Sequence, residues 1–193
     1  MEFESLQREV TRLKTEKEAL AVKSKLFENF ATMAHSCCRL SSAAEWETVK
    51  DTLQKTLHFS SELTGAEDGN LVLMDSNGTV TDFIQTSGDT KQDKCFEPTG
   101  RVLNEGLDGW VSEHRQVGLI GDTLEDDRWL SLPHQPKTAR SVLAIPILKC
   151  DELLGILTLT HPDPDHFSPE FVEQMQATSD QIALTLENVM LYG

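Results

Sequence analysis

The chain has 193 residues, 25% of them charged and 38% hydrophobic, which is typical of a soluble globular domain with an appendage. Its 17 Lys and Arg face 32 Asp and Glu, so the formal charge of −15 disfavours nucleic acid and anionic membranes as partners. No apolar run approaches the roughly 20 residues that span a bilayer, and the polar amino terminus does not resemble a secretory signal, which indicates a cytoplasmic location.

The first predicted element is a helix within residues 1–43, ahead of the globular part. Its apolar residues recur at alternating spacings of four and three, the heptad pattern of a two-stranded coiled coil. The main positions of this stripe are Leu6, Val10, Leu13, Leu20 and Phe27. Lys17 and Ser24 interrupt the stripe and weaken it. The alternative is a single amphipathic helix that lies on the domain.

A second amphipathic helix opens the predicted globular domain, residues 44–190. Trp46, Val49, Leu53 and Leu57 share one of its faces, and Gly65 supplies the residue that tolerates positive φ past its last turn. The apolar period then changes from 3.6 to 2. "NLVLMD" and "TVTDFIQT" therefore predict two strands, which the Asn-Gly pair in "DSNG" joins as a hairpin.

The second half of the domain predicts a short helix, three strands and a long final helix. "GLDGWVSEHR" predicts the helix, "QVGLIGD" a short strand, and "SVLAIPIL" and "LLGILTLT" a central hairpin covered on both faces. Between them, "TLEDDRWLSLPHQPKTAR" has no clean period. The last helix, residues 168–193, begins with Ser168 as its N-cap and Pro169 at its first position.

The final helix also carries a four-three stripe, which Ser179 interrupts. Its predicted interface positions are Met175, Ile182, Leu186 and Val189. Apolar stripes at both ends of one chain are most simply buried in a parallel homodimer. We therefore expect the two terminal helices to form a dimeric coiled coil or bundle.

Four stretches in the order found here resemble the GAF domain, a small-molecule-sensing and dimerising module of signalling proteins. They are "LTGAEDGNLVLMD", "GLDGWVSEHRQVGLIGD", "SVLAIPIL…DELLGILTLT" and "FSPEFVEQMQATSDQIALTLENVMLY". The resemblance implies an α+β fold in which the terminal helices pack on one face of a six-stranded antiparallel sheet. On the other face it implies a ligand pocket roofed by irregular segments.

Cys95, in "QDKCFEP", raises the question of special GAF chemistry. Asp93-Lys94-Cys95-Phe96 resembles the Asp-Xaa-Cys-Phe motif of bilin-binding GAF photoreceptors, but the usual second anchor is missing, because residues 127–147 contain no cysteine. GAF proteins that reduce free methionine sulfoxide carry a cysteine in a "GVCG" turn, where this chain has Gly-Leu-Asp-Gly. The Asn-Lys-Phe-Asp-Glu signature of some cyclic-nucleotide sites is also absent.

The four cysteines and six histidines show no metal-ligand spacing, so we expect no metal, no cofactor and no catalytic residue. The resemblance makes the long irregular stretch the roof of a pocket. Its candidate lining residues are Phe96, Trp110, Trp129, His134 and Arg140. Two questions stay open. The first is whether Trp129 packs in the core of its own fold or lines the pocket. The second is whether Arg140 binds an anionic ligand or pairs with Asp126 or Asp127.

The sequence thus predicts a non-catalytic sensory domain of a cytoplasmic signalling protein. An unidentified small molecule or a partner would shift its terminal helices, and these would act on an output domain of a longer chain. Three alternatives remain: a structural dimerisation module with an empty pocket, a bilin-binding domain that uses Cys95, and a catalytic thiol protein.

Overall fold

The computed structural model describes residues 43–75, 77–86, 106–130 and 139–192, with only the backbone at 43–45 and 188–192. The predicted N-terminal stripe lies outside these residues, as do Cys95, Phe96 and His134. Predictions that concern those positions stay predictions.

The described residues form three helices and five strands. In chain order they are α1 (Ala43–Thr64), β1 (Asp68–Met74), β2 (Val80–Gln85), α2 (Leu107–His114), β3 (Gly118–Ile120), β4 (Ser141–Lys149), β5 (Glu152–His161) and α3 (Pro169–Tyr192). The strands make one antiparallel sheet in the order β2-β1-β5-β4-β3. The α+β class is confirmed, and within the described ranges the sheet has five strands rather than the six predicted.

Both predicted hairpins are present. In the turn between β1 and β2, the Asp75 carboxylate accepts hydrogen bonds from the backbone N–H groups of Asn77 and Thr79, at 2.9 and 2.8 Å. Gly78 adopts φ +77°, as the Asn-Gly signal requires. The turn between β4 and β5 is tighter, with Cys150 at φ +53°.

The helix signals at α1 and α3 are also confirmed. Helix α1 ends at Thr64, and Gly65 follows it at φ +70°. Helix α3 begins at Pro169, and the Ser168 hydroxyl accepts a hydrogen bond of 3.4 Å from the N–H of Phe171.

Two apolar clusters lie on opposite faces of the sheet. On the helix face, α1 and α3 pack against the sheet. Leu53 of α1 belongs to this cluster, together with Leu71, Leu143 and Leu157 of the strands. The other face is called the α2 face here. There α2 packs on β3, β4 and β5, and its residues form a second cluster with side chains of β1, β3, β4 and β5. The central strands are therefore buried on both sides, as their continuous apolar runs predict. None of the described helices is long and apolar enough to cross a membrane.

The stripe of α3 faces its own sheet, which corrects the predicted dimer seam. Met175, Ile182 and Leu186 are 0%, 1% and 2% exposed within one protomer, where they belong to the helix-face core. Ser179 does not weaken a coiled coil, because its hydroxyl donates a 2.6 Å hydrogen bond to the carbonyl of Pro146 in β4. These four residues hold helix to sheet, and their burial requires no second chain. The side chain of Val189 lies outside the description.

Candidate functional site

The α2 face brings together two of the predicted pocket residues and a buried ionisable group. Helix α2 lies across β3, β4 and β5, with Leu107 and Val111 in the apolar cluster of this face. A Cβ at Gly118 of β3 would lie 2.7 Å from the Leu107 side chain, so a larger residue there would require Leu107 to shift. This close packing fixes the position of the first turn of α2 over the sheet.

Asp108, in that first turn, is the buried ionisable group. The residue is 9% exposed, and its carboxyl accepts a 2.9 Å hydrogen bond from the hydroxyl of Thr158, in the central strand β5. Burial raises the pKa of Asp108 from 3.8 to about 6, because the charged form loses hydration, and the bond from Thr158 offsets only part of that loss. An acid with this pKa changes its charge just below neutral pH, which is a common property of functional sites.

Trp110, a predicted pocket residue, contacts other side chains of the same domain. Its ring stacks on His114, with centroids 4.5 Å apart, and the Arg128 guanidinium carbon lies 5.0 Å from the ring centroid. Arg128 also donates to both carboxylate oxygens of Asp126, at 3.0 and 2.7 Å, and to the carbonyl of Leu119 in β3. The π face of Trp110 is thus occupied by side-chain contacts within the domain.

Trp129, another predicted pocket residue, lies on the same face. Its side chain is partly buried and packs against the apolar cluster of the α2 face, and its backbone N–H donates to the carbonyl of Asp126 at 3.1 Å. Both predicted roles fit this position, because a partly buried ring can fill the fold and still present an edge to a ligand.

Arg140 is bound to an aspartate, but not to either predicted one. It donates from Nε to Asp122 at 2.8 Å and from a terminal nitrogen to the other oxygen of the same carboxylate. This charge-assisted pairing lowers the pKa of Asp122 to about 2. Asp126, one of the expected partners, pairs with Arg128 instead.

The pair of Arg140 and Asp122 closes the base of the irregular segment. Beside it, Thr123 donates its N–H to the carbonyl of Arg140 at 2.7 Å and its hydroxyl to that of Ala139 at 2.8 Å. We call these four residues the neck. The neck joins the strand that enters the segment to the strand that leaves it, so Arg140 has a structural role.

Arg140→Ala is therefore expected to lower the melting temperature of the ligand-free protein by a few degrees, because the neck loses a bidentate ion pair. Asp122→Asn should have a similar effect. In the double variant the two losses should not add, since both remove the same interaction. Thermal unfolding of the four proteins measures this. An unchanged melting temperature in Arg140→Ala would argue against the structural role.

A second concave surface lies on the helix face, between α3 and β4. This groove has a volume of about 550 Å³, and Ile145, Pro146 and Ser179 line its floor. Its charged residues, Arg115 and Asp180, are both exposed. A buried ionisable group is found on the α2 face and not in this groove, so the α2 face is the stronger candidate.

In the sequence, Asp108 stands out only as the residue in place of a thiol, and it is not among the predicted pocket residues. The position of Asp108 relative to the apolar residues of α2 is the signal that could have identified it. Leu107, Asp108 and Val111 share one helix face, so a carboxylate lies within an apolar stripe. In the described ranges, no group of three or more His, Cys, Asp or Glu side chains could hold a metal ion.

Comparison with known proteins places this geometry in a family context. The family model described as "GAF domain" matches residues 48–186. A comparison with curated protein sequences finds no match. Among solved structures, the GAF domain of a phosphoenolpyruvate-protein phosphotransferase from Coxiella burnetii is 18% identical, with a TM-score of 0.64, over 86% of this chain and 95% of that one.

Two other solved structures show how varied the proteins with this fold are. A free methionine-R-sulfoxide reductase from Neisseria meningitidis is 11% identical, with a TM-score of 0.64, over 91% of this chain and 94% of that one. The GAF domain of the cyanobacteriochrome TePixJ is 19% identical, with a TM-score of 0.52, over 74% and 91%. At these identities the likeness establishes the fold alone.

Proposed function

Because this chain belongs to the GAF domain family, a sensory and regulatory family of signalling proteins, we propose that it is a non-catalytic sensor that binds a small molecule on the α2 face. We further propose that it acts as a homodimer in the cytoplasm and passes the signal through α3 to an output domain.

The observation that carries this proposal is Asp108. An ionised carboxyl with one hydrogen bond from the described residues lowers the stability of the fold, and an apolar residue of similar size would avoid that loss. Natural proteins tolerate such losses most often at functional sites. Trp129 packs on the same face and supplies the aromatic surface that small-molecule sites commonly have.

A route from this site to α3 runs through the two central strands. Thr158, the partner of Asp108, lies between Leu157 and Leu159, whose side chains belong to the core beneath α1 and α3. In the neighbouring strand, Lys149 at the end of β4 forms a 3.2 Å ion pair with Glu187 of α3. A displacement of β5 at Thr158 would thus reach the helix–sheet interface within one residue. The helix–sheet interface would then be the two-state element that coupling requires.

The non-catalytic assignment rests on Asp108 itself, which stands where the "GVCG" turn of the reductases has a thiol. The solved structures with this fold include a reductase as well as the GAF domain of a phosphotransferase, so this part of the proposal needs its own assay. Reduction of free methionine sulfoxide by the purified chain, above the rate without protein, would overturn it.

The test of ligand binding compares native and denaturing mass spectra of the full chain as purified. We expect a small molecule that is present under native conditions and released on denaturation, and a reduced amount in Asp108→Asn. Asp180→Asn is the matched control, because it removes the same charge from the exposed face of α3. If no small molecule is retained and no metabolite raises the melting temperature, the empty-pocket dimerisation module is favoured instead.

A further inference from the structure

We propose that the ligand of the α2 face carries a cationic group, such as an ammonium, and that this group pairs with the carboxylate of Asp108. This inference rests on the proposed ligand site and adds the chemical class of the ligand. It is based on the charged residues that surround Asp108 among the described residues.

In β1, β3, β4 and β5 the ionisable residues stand only at the strand ends. Residues 70–74, 118–120, 141–148 and 153–160 contain no Lys, Arg, His, Asp or Glu. Thr158, a neutral donor, is the hydrogen-bond partner of the carboxyl among the described residues, whereas a carboxylate can accept about four hydrogen bonds. Among the described residues, the Asp108 carboxyl is therefore surrounded by apolar strand residues and one neutral donor.

Arg128 and Arg140, the arginines of the irregular segment, are already paired. Arg128 donates to Asp126 with two nitrogens and lies over Trp110, and Arg140 donates to Asp122 with two nitrogens. The remaining ionisable side chains of α2, Glu113 and His114, are exposed. Among the described residues, no Lys, Arg or His forms an ion pair with Asp108.

A cationic ligand fits this arrangement better than a neutral one. Near neutral pH the carboxyl is mostly ionised, because its pKa is about 6, and a charge-assisted hydrogen bond is roughly twice as strong as a neutral one. The net charge of −15 also raises the local concentration of cations near the protein. An anionic ligand would instead place two like charges together in apolar surroundings, which costs free energy.

The experiment uses matched probes that differ in charge and little in shape. These are n-butylammonium with n-butanol, and phenethylammonium with phenethyl alcohol. Each is titrated at millimolar concentration against the ¹³C-labelled full chain, and the ¹³C shift of the Asp108 carboxyl is followed. We expect each ammonium to bind at least about tenfold more tightly than its alcohol, and to move the titration midpoint of Asp108 below its value in the free protein.

The pH dependence supplies a second readout. Protonated Asp108 is uncharged and cannot pair with an ammonium group. The affinity for ammonium should therefore fall about tenfold for each pH unit below about 6. Asp108→Asn should abolish both the charge preference and this pH dependence. Asp180→Asn should keep both, which separates local pairing from the effect of net charge.

The possible outcomes separate this inference from the proposed function. Equal binding of alcohol and ammonium, an unchanged preference in Asp108→Asn, or no ammonium binding at all would overturn the cationic class. If the chain as purified nevertheless retains a neutral or anionic molecule that Asp108→Asn loses, the ligand site on the α2 face stands without it. If no molecule of any charge binds, the ligand site itself fails.

Discussion

Asp108→Asn is expected to stabilise the folded domain by about 1–3 kcal/mol at pH 7 and to change its stability little below about pH 4. The pKa of this carboxyl rises from 3.8 to about 6 on folding. A tenfold change in proton affinity corresponds to about 1.4 kcal/mol, so the ionised form carries a penalty of about 3 kcal/mol in the folded state. Asparagine removes the charge and can still accept the hydrogen bond from Thr158.

The sign follows from where the proton binds. Between about pH 4 and 6 the folded state retains a proton on Asp108 that the unfolded state has lost, so stability falls as the pH rises through this window. Below it both states are protonated, and above it the penalty is complete. Asp122 and Asp126 act in the opposite direction, because their pKa values are lowered on folding. Both aspartates are present in wild type and in Asp108→Asn, so their contributions cancel when the unfolding free energies of the two proteins are subtracted.

Urea denaturation across pH 3.5 to 7.5 measures this prediction, with Asp180→Asn as the control for net charge. The control should differ little from wild type at every pH. A variant that is less stable than wild type at pH 7 would mean that the carboxylate is needed for the fold itself. It would also weaken the argument that Asp108 is retained for ligand binding.

The elements of the fold could be predicted from the sequence because each has a strong local signal. The Asn-Gly pair requires positive φ and thereby locates the first hairpin. Likewise, Ser168 and Pro169 fix the start of α3. Such signals depend on a few neighbouring residues, so one sequence is enough to read them.

The partner of an apolar stripe is harder to predict, because a stripe shows which residues are buried but not what covers them. The four-three spacing of α3 fits a coiled coil and a sheet equally well. The structure selects the sheet for Met175, Ile182 and Leu186. The same limit applies to ion pairs. Arg140 has several aspartates nearby in sequence, and only the folded backbone brings Asp122 to it.

The revised role of α3 leads to the largest expected effect. Ile182→Asp should destabilise the protomer by more than about 4 kcal/mol, because it places an unpaired carboxylate in a core position that is 1% exposed. Small domains have only about 5–15 kcal/mol of stability in total, so the variant should be largely unfolded or melt at a much lower temperature. Circular dichroism and thermal unfolding measure this directly.

Leu184→Asp is the matched substitution on the same helix. Leu184 is 54% exposed and lies on the outer side of α3, so an aspartate there remains hydrated and should change stability by no more than about 0.5 kcal/mol. If the proposed homodimer uses this outer side, Leu184→Asp should convert a folded dimer into a folded monomer. Light scattering across the micromolar range reports the change in mass.

The pair of variants separates a core helix from a dimer seam. A core role for Ile182 requires loss of folding in Ile182→Asp at every protein concentration, because its partners belong to the same protomer. If Ile182→Asp instead gives a stably folded monomer, the seam predicted from the sequence is correct and the core assignment is wrong. If both variants are folded and dimeric, neither side of α3 forms the interface. The predicted stripe of Leu6, Val10, Leu13, Leu20 and Phe27 would then be the remaining candidate.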